Sequence, residues 1–455
     1  MQCENQEALL RCEDISFTYP GAAAPLLKNI SLTLRPGQCC CLTGPTGSGK
    51  TTLARILGGL APDGACEGSL HYAPASDQSF PAGLVLQDPD VQLLASSVGA
   101  EVAFALENLA LDPAAMPGRV IAALDAVGLA KPTAFPVDKL SMGQKYRLLT
   151  AALLVMESRL LILDEPGAQL DPDGLAHMQD ILRQLKHAGI AILLCEHRPE
   201  PLLEVIDDFW QLSADGRLTA GRWTGDPPQV HTRPPNPAQS KPAVLRVAGL
   251  CFQDTQAQPV WTNVDLTLRP GERAAITGPN GTGKTTLLRC IAGFLSPRAG
   301  TVSIMDGPPE PARLRGQVGL LFQNPEKQLF ENTVYDEVAF PLKRLGLPAQ
   351  EREERVNAAL EECGIVHLAD ASPHLLSYGQ KHLVALASVL APKPRLLLLD
   401  DPLAGLDDVR SRSVLSTLSR WSDNYDMALL VTGHEPQANF SWAHRVLRLE
   451  GGRLA

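Results

Sequence analysis

Short apolar runs bounded by glycine and proline alternate with helical patterns along this chain. Two of the runs, LLILD (160–164) and AILLC (191–195), are too short for helices and predict buried strands. The segment TTLARILGGL (51–60) has the spacing of apolar residues that predicts a helix. Each half of the chain also opens with short alternating runs that predict strands. This succession is typical of an α/β fold with parallel strands at its centre.

The whole pattern occurs twice, at an interval of about 235 residues. A repeat of this length is a whole domain rather than a solenoid unit. Between the copies, residues 226–243 contain six prolines and no apolar run, which predicts a semi-extended linker. We therefore predict one domain over 1–225 and a second over 244–455. The matched segments are 27–60 with 261–294, 84–94 with 320–330, 140–145 with 376–381, 160–166 with 396–402, and 195–200 with 432–437.

The composition narrows the class of protein. The 455 residues include 45% hydrophobic and 20% charged side chains, which suits sizeable globular cores. Fifty acidic residues against 40 basic ones give a net charge of −10, which argues against binding nucleic acid through a basic face. The sequence has neither a secretory signal nor a run of roughly 18 apolar residues, so we expect a soluble, cytosolic chain. The ten cysteines lack the paired CxxC spacing of a zinc site and are expected to be buried.

Two glycine-rich segments, GPTGSGKT (44–51) and GPNGTGKT (278–285), match the GxxxxGK[ST] pattern of phosphate-binding loops. Each follows a predicted strand and precedes a predicted helix, so main-chain N–H groups and the helix N-terminus face a phosphate. Lys50 and Lys284 can reach β- and γ-phosphates, and the threonine after each lysine can ligate Mg²⁺. The predicted nucleotide-binding residues of these loops are Gly44, Pro45, Thr46, Gly47, Ser48, Gly49, Lys50, Thr51 and Thr52, and Gly278, Pro279, Asn280, Gly281, Thr282, Gly283, Lys284, Thr285 and Thr286.

Two pairs of carboxylates follow buried strands. Asp164 and Asp400 end their strands, where each can hold the magnesium shell. The next residue is Glu165 in the first copy and Asp401 in the second, placed to orient or deprotonate an attacking water. The alternative is that these acids only cap a turn before the proline that follows. We favour the chemical interpretation because both pairs lie downstream of a phosphate loop.

With LSMGQ (140–144) and LSYGQ (376–380), these motifs resemble the ATP-binding-cassette (ABC) family over nearly the whole chain outside the linker. The resemblance implies two tandem P-loop NTPase domains. Each would have a parallel-stranded core sheet, a helical signature subdomain and a small antiparallel β region. It also implies an enzyme that hydrolyses ATP to ADP and phosphate, with ATP and Mg²⁺ as cofactors.

The resemblance assigns roles to further residues. His197 and His434 would sense the γ-phosphate, and Asp171 and Asp407 would lie in loops that cross to the opposite domain. Two cassettes of this family close head to tail, so each ATP would lie between one phosphate loop and the other signature. The implied signature contacts are Ser141, Gly143, Gln144, Ser377, Gly379 and Gln380. The implied metal ligands are Thr51, Gln87, Asp164, Thr285, Gln323 and Asp400.

The two serines of the signature motifs also have a physical role. Ser141 and Ser377 precede helical patterns, where a hydroxyl can cap the helix and the exposed N–H groups can bind a γ-phosphate. In both signatures the glycine that usually follows the serine is replaced, by Met142 and by Tyr378.

The segments around Gln87 and Gln323, including QDPD, QNPE and the EVAF that follows each, are similar to the ATPases of energy-coupling-factor importers. Such importers take up vitamins or transition-metal ions. The similarity implies a transmembrane coupling protein, whose short helices dock near Gln87 and Gln323, and a small membrane protein that binds the cargo. The chain would then act at the cytoplasmic face of the membrane.

Two differences between the copies suggest unequal sites. Tyr19 is placed to stack on adenine in the first copy, whereas the second has no evident counterpart, and Phe252 matches Phe17 as a core residue. The carboxylate of Asp401 is also about one C–C bond, roughly 1.5 Å, shorter in reach than that of Glu165. Mispositioning of about 1 Å can cost about a hundredfold in rate. Our hypothesis is that the first site hydrolyses ATP faster than the second.

Three other functions compete with an energy-coupling ATPase. A soluble tandem cassette protein acting on ribosomes or DNA would be expected to have a long, charged helical linker. The QDPD and QNPE loops weigh against a fused sugar-importer ATPase. A P-loop kinase would need an acceptor domain that this sequence does not contain.

Overall fold

The computed structural model describes residues 8–45, 47–74, 81–167, 170, 172–197, 199–221, 223, 241–253, 259–403, 406, 408–433 and 440–455. The chain divides into two compact units, unit 1 (Met1–Asp226) and unit 2 (Pro227–Ala455). Most of the predicted linker, 226–243, lies outside the described residues. The domain boundaries read from the sequence therefore stay a prediction.

Unit 1 contains nine strands and five α-helices among its described residues. In chain order they are β1 (Leu10–Thr18), β2 (Leu27–Leu34), β3 (Cys39–Thr43), α1 (Lys50–Leu57), β4 (Ala65–Tyr72), β5 (Ala82–Val85), α2 (Val98–Asn108), α3 (Met116–Ala126), α4 (Met142–Leu154), β6 (Leu160–Asp164), α5 (Pro172–His187), β7 (Ala191–Cys195), β8 (Asp208–Leu212) and β9 (Leu218–Gly221).

The described part of unit 2 repeats this order with nine strands and adds one short helix. Its elements are β10 (Leu245–Gln253), β11 (Pro259–Leu268), β12 (Arg273–Thr277), α6 (Lys284–Ile291), β13 (Ala299–Ile304), α7 (Pro311–Leu314), β14 (Val318–Leu321), α8 (Val334–Arg344), α9 (Ala349–Glu362), α10 (Tyr378–Leu390), β15 (Leu396–Asp400), α11 (Asp408–Tyr425), β16 (Ala428–Thr432), β17 (Arg445–Glu450) and β18 (Arg453–Leu454).

Among the described residues, each unit has a six-stranded main sheet and a three-stranded antiparallel sheet. The main sheet of unit 1 runs β5-β6-β7-β3-β8-β9, and all its pairs are parallel except β8 with β9. Unit 2 has the equivalent order β14-β15-β16-β12-β17-β18. The predicted α/β fold with a parallel centre and a small antiparallel region is confirmed. The antiparallel sheets are β2-β1-β4 and β11-β10-β13.

The central strands of the main sheets, β3, β6 and β7 in unit 1 and β12, β15 and β16 in unit 2, are buried along their whole length. This is why their sequences are mainly apolar rather than alternating. In β3, Cys40 and Leu42 pack with the antiparallel sheet and α1, whereas Cys39 and Cys41 pack with helices α2 to α5. The cysteines therefore serve as small core residues at this strand. Cys66 departs from the expected burial, because it lies on the edge strand β4 and is exposed.

Helices α2, α3 and α4 in unit 1, and α8, α9 and α10 in unit 2, form the helical part that precedes the second strand of each main sheet.

The register of the antiparallel sheets confirms the predicted match between Phe17 and Phe252. Phe17 lies opposite Leu27, and Phe252 lies opposite Trp261, so the two phenylalanines occupy corresponding places. Among the residues that the structure describes, no helix combines the length and the apolar content needed to span a bilayer.

Candidate functional site

The phosphate-loop candidate of unit 1 connects β3 to α1, and that of unit 2 connects β12 to α6. Gly44 and Gly278 open these loops with φ of 151° and 149°. A Cβ atom at either glycine would lie 2.2 Å from a main-chain oxygen, that of Leu212 or Leu449. Only glycine therefore fits at the start of each loop. Further described residues of these segments lie between the strand and the helix, Pro45, Gly47, Gly49, Pro279, Asn280, Gly281 and Gly283, or in the first helical turn, Thr52 and Thr286.

The loop lysines are buried and point back into their own loops. Lys50 Nζ donates to the main-chain oxygens of Gly44 and Pro45, at 2.8 and 3.2 Å. Lys284 Nζ makes the same two contacts in unit 2, at 2.7 and 2.9 Å to Gly278 and Pro279. The ammonium group is thus fixed at the centre of each loop, where it can bind an anion surrounded by main-chain N–H groups.

Two residues before each loop lysine lies a hydroxyl side chain, Ser48 in unit 1 and Thr282 in unit 2. The hydrogen bonds of these two hydroxyls differ. Thr282 Oγ1 donates to the main-chain oxygen of Pro279 at 2.9 Å. Ser48 Oγ is buried and has no hydrogen-bond partner within the described part of the chain. A buried polar atom of this kind usually has a partner, which indicates that the unit 1 loop is built for a polar ligand.

The residues proposed as metal ligands meet at the end of β6. Thr51 Oγ1 donates to Asp164 Oδ2 at 2.7 Å. Burial raises the pKa of Asp164 to about 6, the nearby charge of Glu165 adds to this, and the hydrogen bond from Thr51 opposes it. A hydroxyl and a carboxylate side by side are the hard oxygen ligands that Mg²⁺ prefers, so the residues fit this ion.

The same pair recurs in unit 2 with an extra hydroxyl. Burial raises the pKa of Asp400, while hydrogen bonds from Thr432 and Thr285 lower it. Thr432 Oγ1 donates to Asp400 Oδ1 at 2.7 Å. The corresponding residue of unit 1 is Cys195, because Asp164 pairs with Cys195 as Asp400 pairs with Thr432.

Glu165 is held from two sides. Gln87 Nε2 donates to Glu165 Oε2 at 2.6 Å, and His197 Nε2 lies 3.0 Å from Glu165 Oε1. The same histidine nitrogen lies 3.1 Å from Lys50 Nζ. An ammonium, an imidazole, an amide and a carboxylate therefore converge in one unit at the ends of β3, β5, β6 and β7. This arrangement can hold a phosphate and a polarised water side by side.

Glu165 and Asp401 share an unusual main-chain conformation. Their φ angles are 52° and 48°, in the left-handed region that non-glycine residues seldom adopt. Each donates its main-chain N–H to the next strand, Glu165 to Cys195 at 2.8 Å and Asp401 to Thr432 at 3.1 Å. The turn is therefore the same in both units. Glu165 is buried, whereas the shorter Asp401 is half-buried.

The signature residues lie at the start of α4 and α10. Ser141 caps α4 by accepting from Gln144 N, and Gln144 Oε1 accepts from Ser141 N at 3.0 Å. Ser377 and Gln380 form the same reciprocal pair at α10. The capping predicted from the sequence is confirmed. Gly143 and Gly379 lie in the first turn of α4 and α10.

Two predicted details concern tyrosines. Tyr19 is partly exposed, packs edge-on against Phe17 and lies 3.0 Å through its hydroxyl from Thr52 Oγ1. Tyr378, which replaces the usual signature glycine, donates its hydroxyl to the main-chain oxygen of Gln323 at 3.0 Å. The replacement thus ties α10 to the loop after β14.

Four residues with predicted roles, Thr46, Asp171, Asp407 and His434, lie outside the described residues.

A set of polar residues that no sequence motif singles out braces the loops that carry Gln87 and Gln323. Gln92 accepts from Leu86 N at 2.7 Å and donates to Leu84 O at 3.0 Å. Gln328 makes the same pair of bonds in unit 2 with Phe322 and Leu320.

The next part of each loop is anchored by a buried glutamate. Glu101 Oε2 accepts from the main chain of Leu94 and Ala95, and Glu337 Oε2 accepts from Phe330 and Glu331. Both glutamines and both glutamates occupy matched positions of the repeat. Identity between the two copies at these polar positions is the signal that would have found them.

Tyr146 also joins parts of the unit 1 site. The single hydrogen of its buried hydroxyl is shared between the main-chain oxygens of Leu86, at 2.8 Å, and Asp164, at 2.5 Å. The matched residue of unit 2 is His382, which is fully buried and whose two ring nitrogens make no hydrogen bond within the described part of the chain. The imidazole approaches the carbonyl of Pro402 and the carboxylate of Asp401 without reaching normal hydrogen-bond geometry.

Comparisons with known proteins agree with these features. A family model described as ABC transporter matches residues 27–168 and 261–404. A Bacillus subtilis (strain 168) protein, provisionally named HMP/thiamine import ATP-binding protein YkoD, is 32% identical over 99% of this chain and 91% of its own. A Methanosarcina acetivorans protein, provisionally named ABC transporter ATP-binding protein, is 31% identical over 98% of this chain and 89% of its own. A solved structure of cbiO1 from Clostridium perfringens, described as part of the ABC transporter complex cbiONQ, is 32% identical, covers 47% of this chain and 87% of that chain, and has a TM-score of 0.44.

Proposed function

Because this chain belongs to the ABC transporter family, whose members hydrolyse ATP, we propose that it powers an importer of the energy-coupling-factor type. The observation that carries the ATP-hydrolysing part of the proposal is the convergence of Lys50, Gln87, Glu165 and His197 around one point in unit 1. These four side chains supply a cation for phosphate, a polarising amide, a base and a γ-phosphate contact. The chain would be the ATP-hydrolysing subunit, and the import pathway would lie in separate membrane proteins.

Within unit 1, Glu165 would accept a proton from the attacking water as that water approaches the γ-phosphate. Its two oxygens are each contacted by one side chain, Gln87 or His197, which orients the carboxylate before the reaction. Lys50 would exchange its contacts with the loop carbonyls for contacts with β- and γ-phosphate oxygens. This pre-orientation is the main contribution that a protein makes to phosphoryl transfer.

Thr51, Asp164 and Gln87 would hold Mg²⁺ in unit 1, and Thr285, Asp400 and Gln323 would hold it in unit 2. When bound, Mg²⁺ neutralises the charge that develops on the phosphates. The residues' own contribution is to place hard oxygen ligands beside the phosphate loop, and Thr51 Oγ1 and Asp164 Oδ2 are already 2.7 Å apart.

Unit 2 would be the slower site. Lys284 occupies the same place as Lys50, but the residue at the base position is Asp401, which is shorter by about one C–C bond, roughly 1.5 Å. Because the turn conformation is the same in both units, the main chain does not make up for the missing methylene. A base displaced on the order of 1 Å loses much of its rate advantage.

Exposed apolar residues beside the glutamine loops support the proposed membrane partners. Val91 and Leu94, which follow Gln87, are 59% and 71% exposed. In unit 2, Phe330 is 57% exposed and lines an open pocket of about 220 Å³ with Phe340. Apolar side chains exposed in a cluster are typical of a surface that binds a partner. We propose that short helices of a transmembrane coupling protein dock here, which would place the chain at the cytoplasmic face of the membrane.

The cargo would bind to a separate small membrane protein. Energy-coupling-factor importers carry vitamins or transition-metal ions. The name of the Bacillus subtilis relative, an HMP/thiamine import protein, supports a vitamin or a vitamin precursor. The acidic balance of the chain, 50 acidic against 40 basic residues, also weighs against action on ribosomes or DNA.

The test is capture of the tagged full chain from detergent-solubilised native membranes, with the bound proteins identified by mass spectrometry. We expect a transmembrane coupling protein and a small membrane protein. A Leu94→Asp/Phe330→Asp variant is the matched control, because it changes only exposed apolar positions and should lose both proteins while it retains ATP binding. Capture of ribosomal or nucleic-acid-associated proteins with no membrane protein would contradict the proposal.

A further inference from the structure

A buried carboxyl group in unit 1, that of Glu196, has no role in the chemistry described above. Glu196 follows β7 directly, precedes His197 and is 4% exposed. Its Oε1 accepts a hydrogen bond from the main-chain N–H of Gly167 at 2.8 Å. Gly167 is the second residue after Glu165, so this bond closes the turn that carries the proposed base.

The main chain around Glu196 is the same in both units. Glu196 N donates to Leu42 O at 3.1 Å, and Gly433 N donates to Ile276 O at 3.1 Å. Gly433 is therefore the unit 2 counterpart of Glu196, and it has no side chain. Gly433 therefore cannot make the carboxyl contact to the turn that Glu196 makes in unit 1.

The residue that contacts Glu196, Gly167, also differs between the units, but here the larger side chain is in unit 2. A Cβ atom at Gly167 would lie 3.0 Å from Glu196 Oε1, so the glycine makes room for the carboxyl group. The counterpart of Gly167 in unit 2 is Leu403, which is partly buried against the core there. The pair is thus glycine with glutamate in unit 1 and leucine with glycine in unit 2. This reciprocal exchange indicates that the two positions share one space.

We propose that Glu196 is a positioning residue, which fixes the turn after Glu165 and so sets the direction of the Glu165 carboxylate. The turn is anchored at both ends to the strand that leads to the histidine: Glu165 N donates to Cys195 O, and Gly167 N donates to Glu196. The left-handed φ of Glu165, 52°, is a conformation that needs such support from its surroundings. The inference rests on the proposed hydrolysis of ATP in unit 1.

The role needs a hydrogen-bond acceptor and does not need a charge. Burial raises the pKa of Glu196 well above its usual range, and the charge of Glu165 adds to the shift. Glutamine has the shape of the neutral carboxyl group and keeps the oxygen that accepts from Gly167. Glutamine and alanine at this position therefore separate positioning from acid–base chemistry.

The experiment compares ATP hydrolysis by the purified full chain carrying Glu196→Ala or Glu196→Gln. We expect kcat to fall about tenfold or more in Glu196→Ala with KM changed less than about twofold, since a base displaced on the order of 1 Å costs up to a hundredfold. Glu196→Gln should keep kcat within about twofold of the unsubstituted chain. An unchanged kcat in Glu196→Ala, or an equal loss in both variants, would overturn the inference.

Two further variants keep the test decisive. If Glu196→Ala does not fold, Gly167→Leu/Glu196→Gly transplants the unit 2 pair, fills the space left by the carboxyl group and should show the same loss of kcat. Glu165→Gln is measured in parallel: loss of hydrolysis there supports the proposed site, whereas an unchanged rate refutes hydrolysis in unit 1 itself. Failure of the proposed function is in this way distinguished from failure of the role of Glu196.

Discussion

Gln87 and Glu165 are joined directly: Nε2 of the amide lies 2.6 Å from Oε2 of the carboxylate. The other oxygen of Glu165 lies 3.0 Å from His197 Nε2. Gln87 belongs to the loop beside the exposed apolar residues, and His197 follows the strand next to β6. Glu165, the proposed base, is therefore held by two loops that come from different strands, so displacement of either loop should change the orientation of the carboxylate.

This contact predicts the effect of Gln87→Glu. Two carboxylates about 2.6 Å apart cannot both ionise easily, so the pKa of the pair rises and less of the base is ionised at neutral pH. We expect ATP hydrolysis at pH 7 to fall about tenfold and to recover partly as the pH rises. Rate profiles between pH 6 and 9 measure this. Gln87→Leu removes the amide without adding charge and should lower the rate with no alkaline recovery, so identical profiles for the two variants would contradict the argument.

The difference in length between the two proposed bases, Glu165 and Asp401, predicts that their substitution causes unequal losses of ATP hydrolysis. Glu165→Gln should reduce ATP hydrolysis by the full chain about a hundredfold, because the remaining site uses the shorter Asp401. Asp401→Asn should leave roughly half of the rate or more, since unit 1 is unaffected. Steady-state phosphate release from each purified variant measures both effects. Equal losses would show that the two sites contribute equally to ATP hydrolysis, and the hypothesis of unequal sites would then be wrong.

The features predicted from the sequence depend on short, local patterns. The phosphate loops, the buried strands that deliver Asp164 and Asp400, and the caps at Ser141 and Ser377 each occupy a few consecutive residues whose spacing determines the local conformation. Burial on both faces requires apolar strands, so LLILD and LLLLD are recognisable without any tertiary information. The fold class follows from the same signals.

The features that the sequence did not predict depend on contacts between distant segments. Glu196 bonds Gly167 across 29 positions, and Tyr146 bonds Leu86 across 60. A glutamate before a histidine has no local pattern that indicates its partner. Unit 1 has the pair Gly167 and Glu196 where unit 2 has Leu403 and Gly433. This replacement can be recognised only when the strand registers are used to align the two units.

The brace formed by Gln92 predicts a defined loss of stability. Gln92→Leu removes two hydrogen bonds and leaves Leu86 N–H and Leu84 C=O without their side-chain partner. We expect the free energy of unfolding of unit 1 to fall by about 1–3 kcal/mol, the usual cost of leaving such groups without a hydrogen bond. Urea denaturation followed by tryptophan fluorescence measures the change.

Gln328→Leu is the matched variant, because Gln328 makes the same two bonds in unit 2. It should destabilise unit 2 by a similar amount. The loop that carries Gln87 lies between the bonded positions, so Gln92→Leu should also lower ATP hydrolysis in unit 1. A variant with normal stability and normal hydrolysis would show that the loop keeps its conformation without the brace.

His382 predicts a pH dependence that belongs to unit 2. Burial lowers the pKa of His382 from 6.5 to about 4, against the smaller opposing effect of the Asp401 carboxylate and the Pro402 carbonyl. The unfolded chain therefore binds a proton at a pH where the folded chain does not. The stability from the neutral imidazole is fully present above pH 6.5 and is lost as the pH falls toward 4, by about 3 kcal/mol in total. Replacing the histidine with an apolar ring should remove this dependence, because nothing then titrates at the site.

The measurement is thermal unfolding of the full chain between pH 4 and 7. His382→Phe should unfold at a temperature that depends less on pH than that of the unsubstituted chain, and its relative stability should be highest at the acid end. His367→Phe is the control, because His367 lies at the surface of the same unit and its replacement should leave the pH dependence as it was. If both substitutions alter the pH dependence equally, or neither does, the buried imidazole is not its source. In unit 1 the corresponding residue is Tyr146, whose buried hydroxyl has two main-chain acceptors, so unit 1 should lack this acid sensitivity.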